Sequence, residues 1–300
     1  MESGKRNAYE IPDPFAKRLG MSVVALHEDG LTAEVKIIPD FCNTYSAAHG
    51  AFTFSIGQIA AALSAEFCLG RQTVTVDVSN MHECSLMGKV ARIRTKLIDA
   101  GPDTIVYRVR VLDAKGKLCL SQIVTLRDTD RPRKELSDFH QTIFTAGKDD
   151  PVDPVTDVAY PHISVFFPAL FGIHILGRGE KGLIYGCDIH PDSCDVYGAA
   201  HSSLIYTCCD CVAGGSAAFL LEKKPVTVSS SIHYIRSAEV GPISAEARLI
   251  RTGKNLLFYD VNVTDGNGVT VAVAHFVMHI VAYKTRPDLD EDHRLHAFKD

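Results

Sequence analysis

The sequence predicts an α+β protein made of two tandem copies of one unit, each an antiparallel sheet wrapped around a long central helix. Three observations carry this. The chain matches itself without a gap at a fixed offset of 152 positions, with Gly20 on Gly172, Pro39-Asp40 on Pro191-Asp192, Ala47-Ala48-His49 on Ala199-Ala200-His201, Val74-Thr75-Val76 on Val226-Thr227-Val228, Tyr107 on Tyr259 and Gly116 on Gly268. In each copy one run, His49 to Leu69 and its twin His201 to Leu221, is small or apolar on nearly every face, as a helix enclosed on all sides should be. The remaining segments are β-rich and separated by turn residues, the pattern of antiparallel strands. A unit of about 115 residues suits a single domain.

The elements follow in the same order in each repeat. A short segment, Asp13 to Gly20 or Phe167 to Gly172, precedes an alternating strand, Met21 to His27, and the Asp29-Gly30 turn leads to a second strand, Leu31 to Ile38. An irregular stretch follows Pro39, then the enclosed helix. Strands are expected near Thr73 to His82, Val90 to Asp99, Thr104 to Leu112 and Leu118 to Leu126, with Asp113-Ala114-Lys115-Gly116 supplying hairpin turn chemistry and Asp265-Gly266-Asn267-Gly268 answering it in repeat two. The boundaries are therefore 13–128 for repeat one, 129–159 for a linker, 160–284 for repeat two and 285–300 for a charged tail. The linker is charged and Pro-punctuated, with a short helix conceivable near Glu135 to Phe144.

Composition sets the class. Apolar residues make up 46% of the 300, and the net charge of -5 gives no reason to expect nucleic acid. No run of 18 apolar residues and no basic start before an apolar stretch stands out, so the expectation is a cytoplasmic protein with neither membrane span nor signal peptide. Nine cysteines scattered through apolar segments read as reduced, buried side chains rather than a disulfide framework.

The string Asp13-Pro14-Phe15-Ala16-Lys17-Arg18-Leu19-Gly20, then Asn43, then His49-Gly50 opening a small-residue helix, then Val-Asp-Val-Ser entering the next strand, resembles the hotdog-fold acyl-CoA thioesterases of the phenylacetate-degradation type. The resemblance spans both repeats. It implies two tandem hotdog domains paired as an intrachain pseudo-dimer, an acyl-CoA as the small-molecule substrate, and no cofactor beyond the CoA of that substrate.

Where that family carries an acid nine positions after its His, this chain has Gln58 in repeat one and Asp210 in repeat two. Nine helical residues span about 13 Å, too far for a helix start and an acid on the same helix to act on one carbon. If the helix start binds the electrophile, the acid must come from the other repeat, and two unequal composite sites follow. In the first, Gly50 would offer free backbone N–H groups to a thioester oxygen. Asn43 would donate to or position the carbonyl, Asp210 would act as general base or nucleophile, and Thr227 would orient water. In the second, Asp195, Ser202 and Gln58 replace Asn43, Gly50 and Asp210. A carboxylate beside a developing oxyanion repels it and an amide takes no proton at neutral pH, so this site should not hydrolyse.

Each residue also has a plainer reading. His49 is also a candidate catalytic residue of the first site, but its twin His201 stands at the second site too, so both serve at least as well as helix caps or strand-to-helix hydrogen-bonders; Asn43 alone is a turn residue, Thr75 and Thr227 are common strand residues, and Asp210 can be a satisfied hydrogen-bonder. Cys208-Cys209-Asp210-Cys211 lacks metal-ligand spacing, so no metal is expected. Arg236 is the preferred contact for CoA phosphates because similar proteins often carry an Arg there. A non-catalytic acyl-CoA sensor and a hotdog hydratase or dehydratase are the competing functions. A homodimer of the whole chain is expected.

Overall fold

Repeat one begins with Asp13, whose carboxylate accepts from Ala16 N–H at 2.8 Å and so caps helix α1 (Pro14–Arg18), with Pro14 at its start. Strands β1 (Ser22–His27) and β2 (Gly30–Lys36) form a hairpin, and a single 3-10 turn, Pro39–Phe41, stands where the sequence read only as irregular. Helix α2 (Gly50–Leu69) follows and stops at Gly70, whose φ of 66° lies in the left-handed region that glycine enters without strain. Strands β3 (Thr73–His82), β4 (Val90–Ala100), β5 (Thr104–Leu112) and β6 (Leu118–Asp128) complete the unit. The computed structural model describes residues 9–43, 46–134, 167–221 and 225–281. The conceivable helix near Glu135 to Phe144, most of the linker and the tail lie outside them.

Repeat two reproduces this order as β7 (His174–Arg178), β8 (Leu183–Cys187), α3 (Ser202–Leu221), β9 (Pro225–Tyr234), β10 (Ile243–Thr252), β11 (Leu256–Thr264) and β12 (Thr270–Ile280). The 12 strands form one sheet in the order β1-β2-β4-β5-β6-β3-β9-β12-β11-β10-β8-β7, every pair antiparallel. The two halves meet where β3 pairs with β9, in a register that sets Ser79 opposite Ser231. Those two serines are twins at the 152-position offset, so a pseudo-two-fold axis passes between them.

The helices lie in the concavity of the sheet and touch each other at this axis, where the twin rings of Phe54 and Tyr206 stack with centroids 3.4 Å apart. By length and composition either helix would qualify to cross a bilayer, but 72% of the most apolar 18-residue window of each is buried inside the protein, which accounts for its apolar content. Small residues let the layers approach. A Cβ on Gly57 would collide with the Gln122 side chain, whose Nε2 donates to Phe54 O at 3.0 Å. Among the described residues all nine cysteines are free, and no group of three or more His, Cys, Asp or Glu is placed to hold a metal ion.

Candidate active site

Both helix starts are built alike. An isolated bridge, Cys42 with Ala48 or Cys194 with Ala200, narrows the loop before each helix. His49 then caps α2 by accepting Ala51 N–H on Nδ1 at 3.1 Å, and His201 accepts Ser203 N–H on Nδ1 at 3.0 Å. An Nδ1 used as acceptor carries no proton, so each neutral ring has its hydrogen on Nε2. His201 spends that hydrogen on Asp13 Oδ2 at 3.1 Å. The twin of Asp13 is Val165, so the sequence gives His49 no counterpart of that acid at the offset position. The capping role weighed for the two histidines is thus present at both ends.

The pseudo-symmetry crosses the helices so that the middle of each meets the start of the other. At the first junction Asp210 of α3 faces the first turn of α2, where a Cβ on Gly50 would lie 3.4 Å from Asp210 Oδ2, 3.9 Å from Oδ1 and 3.7 Å from His82 Cε1. Asp210 is only 7% exposed. Thr227 Oγ1 donates to its Oδ1 at 2.6 Å, and among the described residues nothing donates to Oδ2. Oδ2 stands 3.7 Å from His49 Nδ1. We read this as a contact and not an ion pair, because that nitrogen's lone pair is already engaged by Ala51 N–H. Burial lowers the His49 pKa against the opposing pull of Asp210, which agrees with a neutral ring. Thr227 is placed to orient the carboxylate, where the sequence reading had it orient water.

At the second junction the polar side chains are spent on one another. Gln58 Nε2 donates to Ser202 Oγ, Ser203 Oγ donates to Gln58 Oε1 at 3.3 Å, and Tyr234 Oη donates to Ser202 O at 2.9 Å. Gln58 is fully buried. Asp195 accepts Tyr197 N–H at 2.8 Å and Ala199 N–H at 3.0 Å, while burial pushes its pKa up. Its twin Asn43 likewise folds its own loop, with Oδ1 accepting Ala47 N–H at 3.3 Å. That bond gives Asn43 the turn role weighed for it.

Arg236 requires a correction. It lines a cleft of about 290 Å³ over the second junction, with Arg71, Arg127, His201, Ser202 and Tyr234, and so does not belong with Asp210. The reason is topological. A strand that follows a helix runs back toward that helix's own start, so the end of β9 reaches Ser202, while Thr227, near its beginning, meets Asp210. Nine residues of extended chain separate Thr227 from Arg236, about 30 Å. At the first junction the twin position is Cys84.

The same topology brings in a residue that the sequence reading missed. His82 ends β3 and adjoins Gly50 where its twin Tyr234 adjoins Ser202. Burial holds its pKa down to about 4, against the opposite pull of Asp210, and its Nε2 is buried with no hydrogen-bond partner among the described residues. The signal was available: His82 and Tyr234 are one more polar difference between the twin rows.

Comparison with known proteins adds the following. A sequence profile described as the thioesterase superfamily matches residues 197–272, within repeat two. No curated protein gives a significant match. Among solved structures the chain is similar to a provisionally assigned thioesterase II from Thermobifida fusca (15% identity, 90% of this chain and 100% of that one, TM-score 0.62). It is also similar to the tesB protein of Mycobacterium avium subspecies paratuberculosis (10% identity, 87% and 96%, TM-score 0.59). A third is a protein of unknown function with a hot dog fold from Alicyclobacillus acidocaldarius (11% identity, 86% and 96%, TM-score 0.57). At such identities these likenesses show the fold: the chain has a hotdog-type architecture.

Proposed function

We propose that the chain is a tandem double hotdog that hydrolyses an acyl-CoA thioester at the junction of Asp210 and Gly50, and that the junction of Gln58 and Ser202 is inert. The observation that supports this best is a buried carboxylate beside the first turn of α2, whose Oδ2 receives no hydrogen bond among the described residues and lies 3.4 Å from where a Cβ on Gly50 would stand. The thioester oxygen binds the backbone N–H groups of the first turn of α2, where the helix dipole favours the charge that develops. Asp210 Oδ2 either takes a proton from water as that water adds to the carbonyl carbon, or adds to the carbon itself to give an anhydride that water then opens. In both routes the tetrahedral intermediate collapses by expelling the CoA thiolate, which is protonated on leaving. Thr227 holds the carboxylate with one oxygen turned away from it.

Arg236 lies at the other junction, away from where the CoA of this substrate would leave. We propose further that the chain works as a homodimer in a cytoplasmic setting. The test is free-thiol release from a panel of short, long and aromatic acyl-CoAs. Asp210→Asn is expected to abolish release and Gln58→Ala to retain it. An active Asp210→Asn variant, or a wild-type protein that binds these esters without releasing thiol, refutes the reading, the latter in favour of a sensor.

A further inference from the structure

We infer that His82 is a second hydrogen-bond donor to the thioester oxygen, acting beside the first-turn N–H groups of α2. The inference rests on the hydrolase reading and adds a contact to it. Its origin is the comparison of twins. Tyr234 donates its hydroxyl to the backbone oxygen of Ser202 and is thereby spent on the protein. His82 occupies the same position at the first junction, but it makes no hydrogen bond to Gly50 O among the described residues. Its Nε2 is closed off from solvent and has no hydrogen-bond partner among the described residues, and the adjoining Cε1 lies 3.7 Å from where a Cβ on Gly50 would stand, a point 3.4 Å from Asp210 Oδ2.

A buried polar atom without a partner is unfavourable unless something supplies one. A ligand oxygen in this gap would do so, taking the Nε2 hydrogen from one side and a helix-start N–H from the other. The groups that face the ring are Asp210 from α3 and His49 at the cap of α2. His49 is neutral, and burial outweighs the attraction of Asp210, so the His82 ring is neutral as well. Neutrality suits the task. A protonated imidazole would pair with Asp210 and occupy the lone pair the reaction needs, whereas a neutral ring donates to an oxyanion and leaves the carboxylate free.

The test compares thiol release by the wild type, His82→Phe and His82→Gln across pH, with thermal unfolding run in parallel. Phe keeps the bulk and removes the donor, and Gln keeps an N–H. Loss of one oxyanion donor predicts a fall in kcat of about 10²-fold for His82→Phe with KM changed less than about threefold, and recovery to within about tenfold of wild type in His82→Gln. The Phe variant should unfold no lower than wild type, since it removes an unpartnered polar atom. Activity of His82→Phe within twofold of wild type overturns the inference, as does an equal loss in both variants. A wild-type protein inactive on every acyl-CoA overturns the hydrolase reading, and this inference with it, and is told apart because no variant is needed to see it.

Discussion

Replacing Gly50 by Ala separates chemistry from folding more cleanly than any other single change. The added methyl would meet Asp210 Oδ2 at 3.4 Å and His82 Cε1 at 3.7 Å, ordinary contact distances, so the side chain fits without strain. Gly50 is the first residue of α2, and there Ala restricts the unfolded chain more than Gly does, which stabilises by about 0.4–1 kcal/mol, or about 1–3 °C in a chain of this size. The same methyl closes the gap: two atoms 3.4 Å apart leave no room for a substrate atom between them. A carbonyl still drawn to the helix start is displaced by an ångström or more, and misplacement on that scale lowers turnover about 10²-fold. The assay pairs thiol release with thermal unfolding. A Gly50→Ala protein with wild-type turnover would refute the placement of the thioester between Gly50 and Asp210, and one that unfolds several degrees lower would refute the packing argument.

Two further outcomes are expected. Ser202→Gly with Gln58→Asp, made in an Asp210→Asn background, should return thiol release to about a hundredth of wild type, because Thr75 already stands at the twin position of Thr227 while Tyr234 still replaces His82; release no higher than in Asp210→Asn alone, in a variant that unfolds cooperatively, would show that the junctions differ in more than these residues. Stability should fall as pH drops from 6.5 toward 4, because the unfolded chain protonates His82 near 6.5 and the folded one only near 4, at a rate of at most about 1.4 kcal/mol per pH unit. Urea unfolding of His82→Gln should show a shallower dependence over that window, and an unchanged slope would mean the ring is not buried neutral.

The fold was legible because it is written twice. A gapless offset and an all-round apolar helix need only local pattern; β3, β4, β5 and β6 begin where the sequence places them, and α2 begins one residue later, with His49 as its cap. The crossing of helices was also within reach, since Asp210 is too far along its own helix to serve its own start. Arg236 and His82 were harder for one shared reason. Assigning them to a junction requires knowing that each strand returns to the start of the helix before it, a statement about chain direction in three dimensions that residue identities do not carry. Asn43 differs again: one side chain can close a turn or face a ligand, and it takes the distance to Ala47 N–H to show that its Oδ1 closes the turn here.

The pairing of β3 with β9 has a consequence beyond continuity of the sheet. When two separate chains build such sites by symmetry, every substitution is made in both at once, and neither can be altered without the other. Here the partners are numbered independently, so one gene can write Gly and Asp at one crossing and Ser and Gln at the other. Covalent linkage also fixes the local concentration each half offers the other, so the two junctions do not come apart on dilution as ones shared between free subunits would.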